Sequence, residues 1–143
     1  MKKIFLDANI LIDILDDKRP SSRESAKVFE LLVRGVEEFT LFTSCDLLTT
    51  VYYFTRKPLG QELALIKIKK LNHIIKVIEF GNSEIDEAIE LMERNKKYTD
   101  LEDTIQYVMA RKEKCDYIIT NDKNFASGDV PVLNSKEALK ELK

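Results

Sequence analysis

Apolar side chains fall along this chain in two rhythms. Short unbroken runs such as Ile4-Phe5-Leu6 and Tyr117-Ile118-Ile119 end in polar residues, as strands buried on both faces of a sheet do. Between them, apolar residues return every three or four positions, as on one face of a helix. Lys3–Leu6 therefore reads as a first strand, and Asn9–Leu15 as a short helix that stops around Asp16-Asp17-Lys18-Arg19-Pro20. Ser21 or Ser22 caps a longer helix through Val33, with Ala26, Phe29, Leu32 and Val33 on one face and Gly35 near its end. Thr40–Thr43 is a second strand, after which Ser44 or Asp46 starts a helix carrying Leu47, Leu48, Val51, Tyr52 and Phe54. Pro58 and Gly60 interrupt it before a helix from about Gln61 to Leu71, and Ile74–Ile78 is a third strand.

Ser83 caps the next helix, which carries Ile85, Ala88, Ile89 and Met92 and has Glu84, Asp86 and Glu87 in its first turn, against the positive end of the dipole. Asp100 suits the N-cap of a further helix with Ile105, Val108 and Met109 on its apolar face, and Asp103 sits three residues on, where a capping box places Glu. The strand Tyr117–Thr120 follows. Val130–Leu133 is a last strand, assigned to a sheet edge by Pro131, and Ser135 caps a terminal helix Lys136–Leu142.

Strand, crossover helix and strand in repetition predict an α/β fold: a three-layer α/β/α sandwich around a central, mostly parallel sheet of four to five strands. Such sheets bind ligands at the carboxyl ends of their strands, where the strand order reverses. Asp7 stands at one such end and Asp122 just beyond another. A lone Asp there is adequately explained as a helix cap, but a pair drawn from opposite ends of the chain points to a metal site. No glycine-rich phosphate loop follows the first strand, which argues against the common nucleotide-binding domains.

Composition narrows the class. With 143 residues, 44% hydrophobic and 34% charged, residues 1–143 are expected to form one domain with enough chain for a core. No apolar segment approaches the roughly 20 residues of a membrane helix, so no membrane partner and a cytoplasmic location are expected. Cys45 and Cys115 lack the spacing of a zinc site and read as reduced thiols, Cys115 packing where a helix hands over to a strand. The net charge of −2 does not advertise a nucleic-acid binder. Arg56-Lys57, Lys67, Lys69, Lys70, Lys76, Lys96-Lys97, Arg111-Lys112 and Lys114 offer local basic patches, although solvated helix faces are the commoner use of such residues.

Three segments carry a resemblance: Phe5-Leu6-Asp7-Ala8-Asn9-Ile10-Leu11, then Asp100-Leu101-Glu102-Asp103-Thr104-Ile105-Gln106-Tyr107, then Asp116 through Phe125 with the closing Val130-Pro131-Val132-Leu133-Asn134-Ser135. Each motif is weak alone, but in this order and spacing the chain resembles the PIN domain family, closest to the small bacterial members that act as toxins of toxin–antitoxin pairs. The resemblance implies Asp7, Asp103 and Asp122 as metal-binding acids, Asp100 as an accessory acid and Thr120 as a polar wall of the site. It further implies Mg²⁺ or Mn²⁺ as cofactor and cleavage of single-stranded RNA to a 3′-hydroxyl and a 5′-phosphate. A small antitoxin and a second copy of the chain are the implied protein partners, with Val51–Phe54 and Leu63–Ile68 as candidate interface or core. One position departs from the family: Thr50 stands where an acid usually precedes Val51-Tyr52-Tyr53. Asp46, one helical turn earlier on the same face, either reaches the site in its place or serves only as the helix cap, the commoner use.

Clustered acids suit phosphodiester hydrolysis because hard cations prefer oxygen ligands, lower the pKa of water and bridge phosphate oxygens. Without a cation such acids repel one another and some take up protons, so metal affinity is expected to rise with pH. Thr120 is a candidate to orient water, and Tyr98 or Tyr107 to stack a base, although packing is the commoner role of such tyrosines. His73 reads as a surface residue, Asn9 as a loop-ordering side chain, and Asp13, Asp16 and Asp17 as a solvated face or stop signal. Two other classes compete with the nuclease: a catalytically weakened module that binds RNA or protein, motivated by Thr50, and a phosphoryl-transfer or receiver domain. The last fits worse, because Asn9 stands where such a phosphatase has its second Asp and Phe80-Gly81-Asn82 offers no phosphorylatable Asp.

Overall fold

Ile4, Phe5 and Leu6 are wholly shut off from solvent, because the strand that contains them, β1 (Lys2–Leu6), is the middle of the sheet. In a computed structural model that describes residues 1–143, β1 is flanked by β2 (Phe39–Ser44) and β4 (Tyr117–Ile119), with β3 (Lys76–Ile78) and β5 (Val132–Leu133) at the edges. The order is β3-β2-β1-β4-β5 and every pairing is parallel. The sequence-based expectation of a three-layer α/β/α sandwich is met, with Pro131 leading into an edge strand as anticipated. Ile4 faces Leu41 on one side and Tyr117 on the other.

Seven helices cover the sheet: α1 (Ala8–Leu15), α2 (Ser22–Arg34), α3 (Leu47–Leu59), α4 (Gln61–Ile74), α5 (Asn82–Arg94), α6 (Leu101–Lys112) and α7 (Ser135–Glu141). One group packs α7 on α2, α2 on α1, α1 on α3 and α3 on α4, while α5 pairs with α6. A single cluster of buried apolar side chains, from Ile4 to Leu142, ties the layers together. None of the helices is long and apolar enough to cross a membrane.

Several boundaries and faces differ from expectation for identifiable reasons. Pro58 is carried in the last turn of α3, and the break falls at Gly60, whose φ of 83° lies in the left-handed region. Helix α4 runs on to Ile74, so β3 begins only at Lys76, and His73 is an exposed residue of the last helical turn. Helix α5 is capped through Glu84, whose carboxylate accepts from the Gly81 N–H at 2.8 Å, and not by Ser83. Asn134 caps α7 by accepting from the Glu137 N–H at 2.8 Å, which frees Ser135 for another bond. The inner face of α2 is Ser22, Ser25, Val28 and Leu32, leaving Ala26 and Val33 exposed, because Ser25 turns inward to a buried carboxylate.

Candidate active site

Leu6 lies opposite Ile119, so the next residues of the two chains, Asp7 and Thr120, emerge side by side where the strand order reverses. Asp7 leads into α1 and is buried, and its Oδ1 accepts from the Ala8 N–H at 2.6 Å. Its Oδ2 accepts from the Thr120 hydroxyl at 2.7 Å and from the Asn9 amide at 2.9 Å. Thr120 thus donates its one proton to Asp7, which makes it a brace for that carboxylate. Asn9 orders both loops, as expected, since its Oδ1 also accepts from the Asn121 N–H at 3.0 Å. Asp122 is set by its own N–H, which donates to the Thr120 Oγ at 3.1 Å. Asp100 takes the predicted N-cap of α6, its Oδ1 accepting from the Asp103 N–H at 2.9 Å.

These elements enclose a cleft of about 370 Å³ lined by the carboxylates of Asp7, Asp100, Glu102, Asp103 and Asp122, together with Asn9, Thr50 and Arg19. All four Asp residues expected at the site are therefore gathered there. Burial and, after it, like charge show in their protonation. Asp103 is pushed up to about 7, first by burial and then by Asp7, Asp100, Asp122 and Glu102. Asp7 is raised as well, because burial outweighs the bonds from Thr120 and Ala8, and Asp122 adds repulsion. Glu102 is raised by burial and by the charges of Asp46, Asp7 and Asp100.

The donor set is all oxygen, which fits Mg²⁺ or Mn²⁺ and excludes the sulfur and imidazole ligands of softer metals. No three His, Cys, Asp or Glu side chains converge tightly enough to enclose an ion by themselves. Mg²⁺ commonly keeps several waters and takes only one or two carboxylates directly, the others acting through its waters.

Three features escaped the sequence-based reading. Glu102 lines the cleft beside Asp103, and only its place in the first turn after the Asp100 cap marked it. Asp13 is no solvated stop signal: it is buried, accepts from the Arg19 Nε at 2.7 Å and from the Ser25 hydroxyl at 2.8 Å, and fixes Arg19 at the cleft wall. An Asp inside the apolar octet Ala8–Leu15 was the available clue. Gln106 is wholly buried one turn after Asp103 with neither amide atom partnered, and it favours the charged form of Asp7 without closing a bond of ordinary geometry.

Other expectations resolve plainly. Asp46 holds the N-cap position of α3 but caps nothing with its side chain, which accepts from the Ser44 hydroxyl at 2.6 Å; its charge is felt at Glu102. Tyr98 and Tyr107 are buried against each other with ring centroids 5.6 Å apart, so neither is placed to stack a base. Arg111 and Lys112 are tied to Glu87 and Glu84. Cys45 and Cys115 are free thiols, and burial pushes Cys115 up to about 12, which leaves it inert.

Comparison with known proteins converges on one family. A family model described as PIN domain matches residues 3–124. Ribonuclease VapC1 of Aquifex aeolicus strain VF5 is 44% identical over 136 residues, covering 95% of this chain and 92% of that protein. Among solved structures, Mycobacterium tuberculosis VapC20, described as a Sarcin-Ricin loop cleaving toxin, superposes with a TM-score of 0.70 at 14% identity, over 85% of this chain and 92% of that one. DNA-bound VapBC from Salmonella typhimurium gives 0.71 at 16% identity, over 94% and 99%. A family model over residues 3–124 and a relative 44% identical over nearly its whole length show that the chain belongs to the PIN domain family.

Proposed function

We propose that the chain is a divalent-metal-dependent endoribonuclease that hydrolyses phosphodiester bonds of single-stranded RNA and acts as the toxin of a toxin–antitoxin pair. The observation that carries this reading is the convergence of five carboxylates on one cleft, where burial and then like charge hold Asp103 at about 7. The name of the 44% identical relative, a ribonuclease, supports the reaction class. Asp7, Asp103 and Asp122 are the proposed metal-binding acids, holding the ion directly or through its waters, with Asp100 and Glu102 as accessory acids and Thr120 holding Asp7 in place. When bound, Mg²⁺ or Mn²⁺ lowers the pKa of a water and offsets phosphate charge. Buried Asp7, its oxygens pinned by Ala8, Asn9 and Thr120, presents a fixed anchor whose rotamer costs nothing further on binding. Arg19, the one cation lining the cleft, is held by Asp13 in reach of a phosphate oxygen. The products expected are a 3′-hydroxyl and a 5′-phosphate.

Thr50 lines the cleft without an acid, which motivates the competing view of a weakened RNA- or protein-binding module. Glu102 argues against that view by supplying a further carboxylate. Residues 1–143 are read as one domain, in keeping with the continuous core. Tyr53, Phe54, Leu63, Leu65 and Ile66 are exposed apolar residues of α3 and α4, which supports pairing with an antitoxin or a second copy. Incubation of purified protein with single-stranded RNA should give cleavage with Mg²⁺ or Mn²⁺, none with EDTA, and none for Asp7→Asn. Intact RNA under all these conditions would favour the binding module.

A further inference from the structure

A second concavity, about 560 Å³, opens beside the acid cleft at the carboxyl ends of β4 and β5. The two share Asp122, and the segment Arg19-Pro20-Ser21 walls both, Arg19 facing the cleft while Pro20 and Ser21 face the cavity. The volume is within the usual range of ligand sites, roughly 300–1,000 Å³. Its lining is unlike the cleft's. Lys123 and Lys136 are exposed and form no ion pair, whereas Arg19, Arg111 and Lys112 are each engaged by a carboxylate.

The floor of the cavity is fixed. Asn121 donates to the Asp13 carboxylate and the Ser25 hydroxyl, both at 3.1 Å, and its Oδ1 accepts from the Ser135 N–H at 2.9 Å and the Ser135 hydroxyl at 3.0 Å. Glu137 is occupied in the α7 cap, its carboxylate accepting from the Asn134 N–H at 2.9 Å. What remains for a ligand is two ammonium groups, the Ser21 hydroxyl and the carboxylates of Glu24 and Asp122, above a fixed floor.

We propose that this cavity, which shares Asp122 with the acid cleft, is a binding site for the ribonucleotides that flank the cleaved bond. This rests on the ribonuclease reading. A strand with one phosphate among the acids must leave the cleft, and the cavity beside Asp122 offers two unpaired lysines against three carboxylates, where the cleft has one paired arginine against five. Glu24 offers an acceptor for a ribose 2′-hydroxyl, a group that DNA lacks.

The test compares the full chain with Lys123→Ala/Lys136→Ala and Lys123→Arg/Lys136→Arg, using single-stranded RNA of twelve nucleotides and a trinucleotide. In an Asp7→Asn background, anisotropy should show the alanine variant binding the longer RNA about tenfold more weakly, with a salt slope shallower by about 1.4 for two lost phosphate contacts, and the arginine variant restoring both. In the active chain, KM for the longer RNA should rise at least fivefold more than KM for the trinucleotide. Equal losses for the two lengths, or no loss of longer-RNA binding, would overturn the subsite. Cleavage of neither RNA by the wild type, with lysine-dependent binding retained, would sink the ribonuclease reading and leave the cavity as an RNA-binding site only, and absence of any RNA binding would sink both.

Discussion

Asp7 is the side chain on which the proposed chemistry converges, and its setting is a compromise between burial, which favours the neutral acid, and three short bonds that favour the charge. Thr120→Val removes one of those bonds at nearly constant volume. Partners that orient a metal ligand are typically worth 10–100-fold. Cleavage rates for Thr120→Val should therefore fall by roughly that factor, and Thr120→Ser should recover most of the loss. Gln106 presents the opposite trade: its buried amide finds no partner, at a cost of about 1–3 kcal/mol for such a group. Gln106→Leu should raise stability in urea unfolding while weakening Mn²⁺ binding, because the charged form of Asp7 loses its support. Equal stability of variant and wild type would show that the amide is satisfied in solution.

At the scale of elements, α1 and α2 meet through the Asp13 carboxylate, which collects Arg19, Ser25 and Asn121 and so ties the cleft wall to the loop after β4. Asp13→Ala leaves those donors unmatched. Each unsatisfied buried group costs about 1–3 kcal/mol, so the variant should unfold at markedly lower urea and cleave more slowly, as Arg19 loses its anchor. The elements themselves were legible in the sequence wherever one periodicity ruled: Ile4-Phe5-Leu6 and Tyr117-Ile118-Ile119 could only be buried strands, and Asp100 did cap α6. The face of α2 was misread because Ser25 counts as polar by type yet is inward by partnership, and that partner lies 12 residues away. Caps failed for a related reason: Ser83 and Ser135 are good caps by type, but Glu84 and Asn134 do the work. Asp7, Asp100, Asp103, Asp122 and Thr120 were named from motifs; Glu102, Arg19 and Gln106 become visible only once α6 and the α1–α2 loop are placed around the cleft.

Across the whole molecule, the acid cleft sets a term in stability that depends on pH. Asp103 ionises near 7 when folded against 3.8 as its ordinary value, so the metal-free folded protein holds a proton that the unfolded chain releases. The stability this contributes is fully present below about pH 4 and is lost as pH rises through 7; the raised pKa of Asp7 acts in the same direction. In EDTA, the thermal midpoint of wild type should therefore decline between pH 5 and 8 relative to that of Asp103→Asn. Saturating Mg²⁺ should remove that decline by binding only the folded state.

The central claim is that these carboxylates together hold a divalent cation. Calorimetric titration of Mn²⁺ into the purified chain at pH 6 and pH 8 addresses it most directly. One strong binding event is predicted, tighter at pH 8 because Asp103 has then released its proton, and lost in both Asp7→Asn and Asp103→Asn. Binding that is equally weak in wild type and both variants, and indifferent to pH, would contradict it.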